Sequence, residues 1–143
     1  MFMHDDVLLN KAAVIERCVA RAREEYGADP ASFATNITRQ DAAAINIQRA
    51  CEACLDMANV MIRKHRLGLP QSAKDVFNLL AGAGYIETGL AENLQRMVGY
   101  RNIAVHDYQK LLLPITIAVI KTHLDDFLAF SELIVKRSGL ALQ

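Results

Sequence analysis

Between Thr38 and Arg66 the chain carries Ala43, Ile47, Ala50, Cys54, Met57 and Met61, separated by alternating steps of four and three. That spacing places all six on one stripe of an α-helix, whereas a strand would scatter them over both faces. Ile45, Leu55, Ala58 and Ile62 widen the stripe. A helix apolar over so much of its circumference is central in a bundle or pressed against a second subunit, and both are expected here. Thr38, with Asp41 three residues on, is the expected N-cap, and Leu67-Gly68-Leu69-Pro70 the expected stop.

The same period recurs on either side. Val7, Leu8, Val14, Ile15, Cys18, Val19 and Ala22 predict a first helix from Asp5 to Tyr26, with Asp5 and Asp6 at the dipole's positive end. Gly27-Ala-Asp-Pro30 ends it. A short third helix follows an N-cap at Ser72 and carries Val76, Phe77, Leu79 and Leu80 to Gly82-Ala-Gly84. A fourth starts near Thr88 with Leu90, Leu94, Met97 and Val98. Pro114 suits the first turn of a fifth, whose stripe of Ile117, Ile120, Leu124, Phe127, Leu128 and Ile134 runs to Lys136-Arg137-Ser-Gly139. Only 3 prolines and 7 glycines supply turns, too few for a many-stranded sandwich or barrel. With no repeat and no dividing linker, residues 1–143 read as one all-α domain, a bundle of about five helices.

Composition narrows the function classes. Hydrophobic residues make up 52% against 22% charged, which excludes a disordered chain. Lys+Arg and Asp+Glu both total 16, so no global field announces a nucleic-acid or membrane partner, although a local basic site can sit on a neutral protein. The start, Met1-Phe-Met-His-Asp-Asp-Val, has acids where a signal peptide needs basic residues. The run Leu111 to Ile120 is too short to span a bilayer, and 3 cysteines make no disulfide framework. A soluble, cytoplasmic protein is expected.

Two clusters have ordinary explanations. Cys51-x-x-Cys54 puts two thiols on one helix face, yet no second Cys or His pair stands at zinc-site spacing and no strand precedes it. The pair reads as small residues that let helices pack closely, and no metal or cofactor is expected. Arg63-Lys-His-Arg66 complements the dipole at a helix C-terminus. His4 and His123 read as surface or core-edge residues.

The segment Met97-Val-Gly-Tyr-Arg-Asn-Ile-Ala-Val-His-Asp-Tyr108 is different. It gathers Arg101, Asn102, His106 and Tyr108 on a stretch that otherwise reads as buried helix. A histidine can take the proton of a ribose 2′-hydroxyl or supply one to the leaving 5′-oxygen. An arginine holds the phosphate at two points and stabilises transition-state charge. The 2′-hydroxyl is absent from DNA, so the pair implies RNA cleavage. On an unbroken helix Arg101 and His106 point roughly 140° apart, whereas Asn102 and His106 share a face. Arg101 and His106 therefore meet on one phosphate only if the helix ends or bends near His106, or if a second subunit completes the cleft. Gly99 lets another chain approach there. On spacing alone, an Arg and a His that cap a helix end stand ahead of catalysis.

Arg101-Asn102-Ile-Ala-Val-His106-Asp-Tyr108 resembles the R-x4-H-x-Y signature of HepT-like toxins, in the HEPN superfamily of helical ribonucleases. Leu55-Asp-Met-Ala-Asn59, Phe77-Asn-Leu-Leu80 and Met97-Val-Gly-Tyr100 resemble that family too, so the likeness spans roughly residues 5 to 135. Tyr100 stands where the family more often has Phe, at an aromatic packing position. The resemblance implies a metal-independent endoribonuclease toxin, acting as a homodimer or higher oligomer with the motifs of two protomers facing one cleft. Arg101 would bind the scissile phosphate, His106 would be general acid or base, and Asn102 would orient His106 or the phosphate. It also implies a partner antitoxin, the small nucleotidyltransferase MntA, which transfers AMP from ATP to the motif tyrosine, here Tyr108. The rivals are a non-catalytic helical module that docks a nucleotidyltransferase or RNA, and a purely structural helical dimer.

Overall fold

The computed structural model describes the backbone of residues 3–105 and 109–139, and the side chains of residues 5–104 and 112–139. Among these, all regular structure is helical: α1 (Met3–Gly27), a 3-10 turn (Pro30–Thr35), α2 (Ile37–His65), α3 (Asp75–Gly82), α4 (Thr88–Val105), α5 (Gln109–Thr122) and α6 (Leu124–Arg137).

Helix α2 is the axis of the bundle. It packs along α1 and touches α3, α4, α5 and α6, so its wide apolar surface is consumed within one chain. Ala43, Ile47, Ala50, Cys54, Met57 and Met61 are buried as the spacing requires, and so are Leu55, Ala58 and Ile62. Only Ile45 of the widened stripe faces outward, 40% exposed. Intramolecular packing therefore accounts for nearly all of a surface from which a subunit contact was expected. On α1 the pattern holds from Leu8 to Ala22, but Val7 is 37% exposed, because it lies to the side of the stripe that meets α2.

The helix ends follow local chemistry. The cap of α2 is Asn36 rather than Thr38: its side-chain oxygen accepts the Arg39 N–H at 3.1 Å, so the cap lies two residues earlier than expected. At the other end Arg66 takes the left-handed conformation (φ 52°), and the Leu67 N–H returns to the Ile62 carbonyl at 3.0 Å. Gly68 follows at φ 126°, a conformation that suits glycine. Before α3 the Ser72 hydroxyl accepts the Asp75 N–H at 3.2 Å, and Asp75 returns a carboxylate oxygen to the Gln71 N–H at 3.0 Å. The 3-10 turn inserts Phe33 into the core against Tyr26, ring centroids 5.2 Å apart. Phe77 of α3 and Phe130 of α6 meet edge to face at 5.6 Å, and both are fully buried.

The expected fifth helix is two. Pro114 lies inside α5, which begins at Gln109, and the chain breaks at His123 before α6. At the break His123 adopts φ −122°, its Nδ1 lies 3.1 Å from Asp126 Oδ2, and the Thr122 hydroxyl donates to the Ala118 carbonyl at 2.7 Å. These side-chain contacts lie at the break, where the His123 N–H still bonds the Val119 carbonyl at 2.8 Å and the Asp126 N–H bonds the His123 carbonyl at 3.1 Å. No helix among the described residues is long and apolar enough to cross a membrane. The buried residues form one continuous cluster.

Candidate functional site

The last turns of α4 carry Arg101 and Asn102, and what anchors them is packing one residue earlier. Tyr100 is buried, and its hydroxyl pairs with Thr116 Oγ1 of α5 at 2.8 Å. Burial pushes the phenol up to about 12, and the Thr116 hydrogen bond pulls modestly the other way. Tyr100 is thus a packing aromatic, as its place in the motif implied, with a hydroxyl that ties α4 to α5. With Tyr100 and Met97 turned inward, Asn102 is turned to solvent and Arg101 to the junction with α2.

Arg101 is held by two partners. Its Nη1 donates to Glu52 Oε1 of α2 at 2.8 Å, and its Nε and Nη2 donate to Asn102 Oδ1 at 3.4 and 3.0 Å. A guanidinium has five N–H donors, so one N–H on each Nη is left over, a pair suited to two oxygens of one phosphate. The Arg101 side chain is 22% exposed and that of Glu52 53%, so the site is open to a ligand from solvent. Asn102 Oδ1 thus orients the guanidinium, a contact that the spacing of the motif does not disclose.

Glu52 is a residue that sequence reasoning missed. It belongs to a wall of an open groove of about 380 Å³ between α1 and α2, which also includes Val14, Ile45, Gln48 and Arg49. Lys11 and Asp56 close one end of that groove with a 3.0 Å ion pair. A larger groove of about 600 Å³, between the α3–α4 turn and α6, holds neither Arg101 nor Asn102. His106 and Tyr108 lie outside the described residues.

The cysteine pair and the basic cluster lie where their spacing placed them. Cys51 and Cys54 are buried free thiols. Burial raises Cys51 to about 12, opposed in part by Arg101 nearby, and raises Cys54 strongly. Both stay protonated and act as packing residues. Among the described residues no three His, Cys, Asp or Glu side chains gather as a metal site. Arg63, Lys64 and His65 occupy the last turn of α2, where Lys64 reaches the Ser138 carbonyl at 3.4 Å. His123 is a core-edge residue, and the His4 side chain lies outside the described residues.

Residues 15–134 match the model of the ribonuclease HepT-like family. The chain is 48% identical over 130 residues to the mRNA nuclease HepT of Shewanella oneidensis, covering 91% of this chain and 97% of that one. It is similar to the rebuilt and re-refined structure of a tri-AMPylated Shewanella oneidensis HEPN toxin in complex with an MNT antitoxin, with a TM-score of 0.87 and 47% identity. That match covers 92% of this chain and 98% of the other. A toxin–antitoxin structure with AMP-PNP matches with a TM-score of 0.88 and 46% identity, over the same shares of both chains.

Proposed function

Because this chain belongs to the family of HepT-like ribonucleases, we propose that it is an endoribonuclease toxin, a cytoplasmic protein active as a homodimer. The observation that carries the reading is Arg101, held with two N–H groups to spare, at the head of the family's motif in a chain so similar to an mRNA nuclease.

Arg101 takes two oxygens of the scissile phosphate, with Asn102 and Glu52 fixing the plane of its guanidinium. His106 removes the proton of the ribose 2′-hydroxyl, or protonates the 5′-oxygen as it leaves. The 2′-oxygen attacks phosphorus and the P–O5′ bond breaks, leaving a 2′,3′-cyclic phosphate and a 5′-hydroxyl. Negative charge that builds on the phosphate lies against Arg101. Because the nucleophile belongs to the substrate, the chemistry needs no metal ion. A second protomer brings its own motif to the same cleft.

The same relatives support control by AMP transfer, since one similar toxin is AMPylated and bound to an MNT antitoxin. Here an MntA-like nucleotidyltransferase would join the Tyr108 oxygen to the α-phosphorus of ATP, releasing pyrophosphate. A phosphate and a nucleoside two residues from His106 fill the RNA cleft and offer Arg101 a competing anion. Intact mass after co-production with the neighbouring nucleotidyltransferase tests this. AMP increments on wild type that Tyr108→Phe lacks support the reading, and an unmodified wild type contradicts AMP control.

A further inference from the structure

The exposed face of α4 carries a cation that the motif does not include. Gly99 lies near the middle of that face, between Arg96 and Asn102, and the Lys74 ammonium reaches over it: a methyl group at Gly99 would sit 3.9 Å from Lys74 Nζ. Asn102 follows Gly99 by three residues, about 4.5 Å further along the helix and some 60° around it. We propose that Lys74 is a second phosphate-binding residue of the RNA site, taking the phosphate next to the one held by Arg101. The proposal rests on the ribonuclease reading above.

Three observations support it. The backbone of Lys74 is fixed to α4, because Gln95 Nε2 donates to the Lys74 carbonyl at 3.0 Å and to Asn78 Oδ1 at 2.9 Å. The lysine thus projects from a fixed base rather than a free loop. Its neighbour Asp75 is otherwise engaged, with one carboxylate oxygen on the Gln71 N–H and the other near Asn78. Among the described residues no carboxylate lies within ion-pair distance of Lys74, and the same holds for Arg96 on the same face, so this face of α4 carries two cations without an acid partner. An exposed ammonium over Gly99, with no acid partner among the described residues, favours an anion from outside the chain. Around it the exposed face is polar, with Glu92, Arg96 and Asn102, which suits a nucleotide backbone better than an apolar protein surface.

Gly99, with the Lys74 ammonium over it, and Arg101 lie on opposite sides of Asn102 around α4, about 60° and about 100° away, so a strand crossing α4 at Asn102 passes between the two cations. A point charge on a flexible stem reads phosphate without reading sequence, so Lys74 would raise affinity for any RNA.

The test is binding of a labelled single-stranded RNA oligonucleotide to His106→Ala protein over a series of salt concentrations, with and without Lys74→Gln. We expect several-fold weaker binding and a log–log salt slope shallower by about 0.7, with Lys74→Arg restoring both. In the His106-containing protein, Lys74→Gln should raise KM and leave kcat within about twofold. An unchanged salt slope, a defect that arginine fails to rescue, or lost AMP transfer with RNA binding intact would each overturn the assignment. Wild type that cleaves while Lys74→Gln binds normally sinks only Lys74. Wild type that neither binds nor cuts RNA overturns the ribonuclease reading and Lys74 with it.

Discussion

Glu52→Ala should lower kcat/KM for RNA cleavage about fivefold, while Glu52→Gln should stay close to wild type. In the folded chain Glu52 Oε1 accepts from Arg101 Nη1 at 2.8 Å, while Asn102 holds the Nε and Nη2 edge. Removing the carboxylate leaves a long side chain held on one edge only, and it must then be ordered when phosphate binds. Ordering such a side chain costs about 1 kcal/mol, which is roughly a fivefold loss. Glutamine keeps an acceptor at the same place and so keeps the orientation. The carboxylate also repels the incoming phosphate, but it is 53% exposed and water screens much of that effect. Orientation should therefore outweigh repulsion. Stability is a necessary control, and a pair this exposed should contribute less than about 1 kcal/mol in a urea titration. The assay is single-turnover cleavage with each variant across RNA concentrations. An alanine variant as active as wild type, or one with a lower KM, would mean that Glu52 competes with phosphate and would refute the orientation argument.

Three further outcomes follow from the same structure. His106→Ala should reduce cleavage by about 10²–10⁴-fold with RNA binding retained, as removal of a general acid–base group does; an equal loss of binding would point to a structural role. Phe77→Ala should destabilise the fold by about 3–5 kcal/mol in chemical denaturation, because a fully buried ring that packs edge-on to Phe130 leaves a cavity between α3 and α6. The Tyr100 phenol, raised from 10.0 to about 12 by burial, stays protonated in the folded chain at pH values that ionise it in the unfolded one. Stability should thus be full below about pH 10 and fall as pH rises toward 12, by an amount on the order of 3 kcal/mol. Tyr100→Phe should flatten that alkaline fall, and melting curves between pH 8 and 12 that stay parallel to wild type would contradict it.

The helices were legible because burial here follows a period of 3.6 residues. The six residues Ala43, Ile47, Ala50, Cys54, Met57 and Met61 are all buried, and the stops at Gly68 and Gly84 fall where left-handed backbone is needed. The break at His123 was not legible. Ile120, Leu124 and Phe127 keep helical spacing straight across it, and no glycine or proline marks the position, where the Thr122 hydroxyl and the His123–Asp126 contact lie. Asn36 competed with Thr38 as a cap of similar chemistry two residues away, and only the backbone geometry decides between them. The breadth of the α2 stripe was ambiguous for a different reason: a helix buried by five neighbours in its own chain and one shared with a second subunit carry the same pattern.

At the site, Arg101 and Asn102 were visible as a motif, but the hydrogen bond between them was not, since adjacent residues point about 100° apart on a helix and meet here only because the guanidinium folds back. Glu52 stands 49 residues from Arg101, and nothing in its local sequence distinguishes it from any exposed helical glutamate. Lys74 was hidden in the same way, brought over Gly99 by the Gln95 contacts that seat α3 against α4.

The most direct test of the central claim is cleavage of one RNA oligonucleotide in the presence of EDTA, beside the same oligonucleotide with a single 2′-deoxy nucleotide at the cut position. Wild type should cut the first, leaving a 2′,3′-cyclic phosphate and a 5′-hydroxyl, and spare the second, while His106→Ala should cut neither. Cleavage that requires a divalent metal, or that proceeds at the deoxy position, would contradict the assignment of Arg101 and His106 to attack by the ribose hydroxyl.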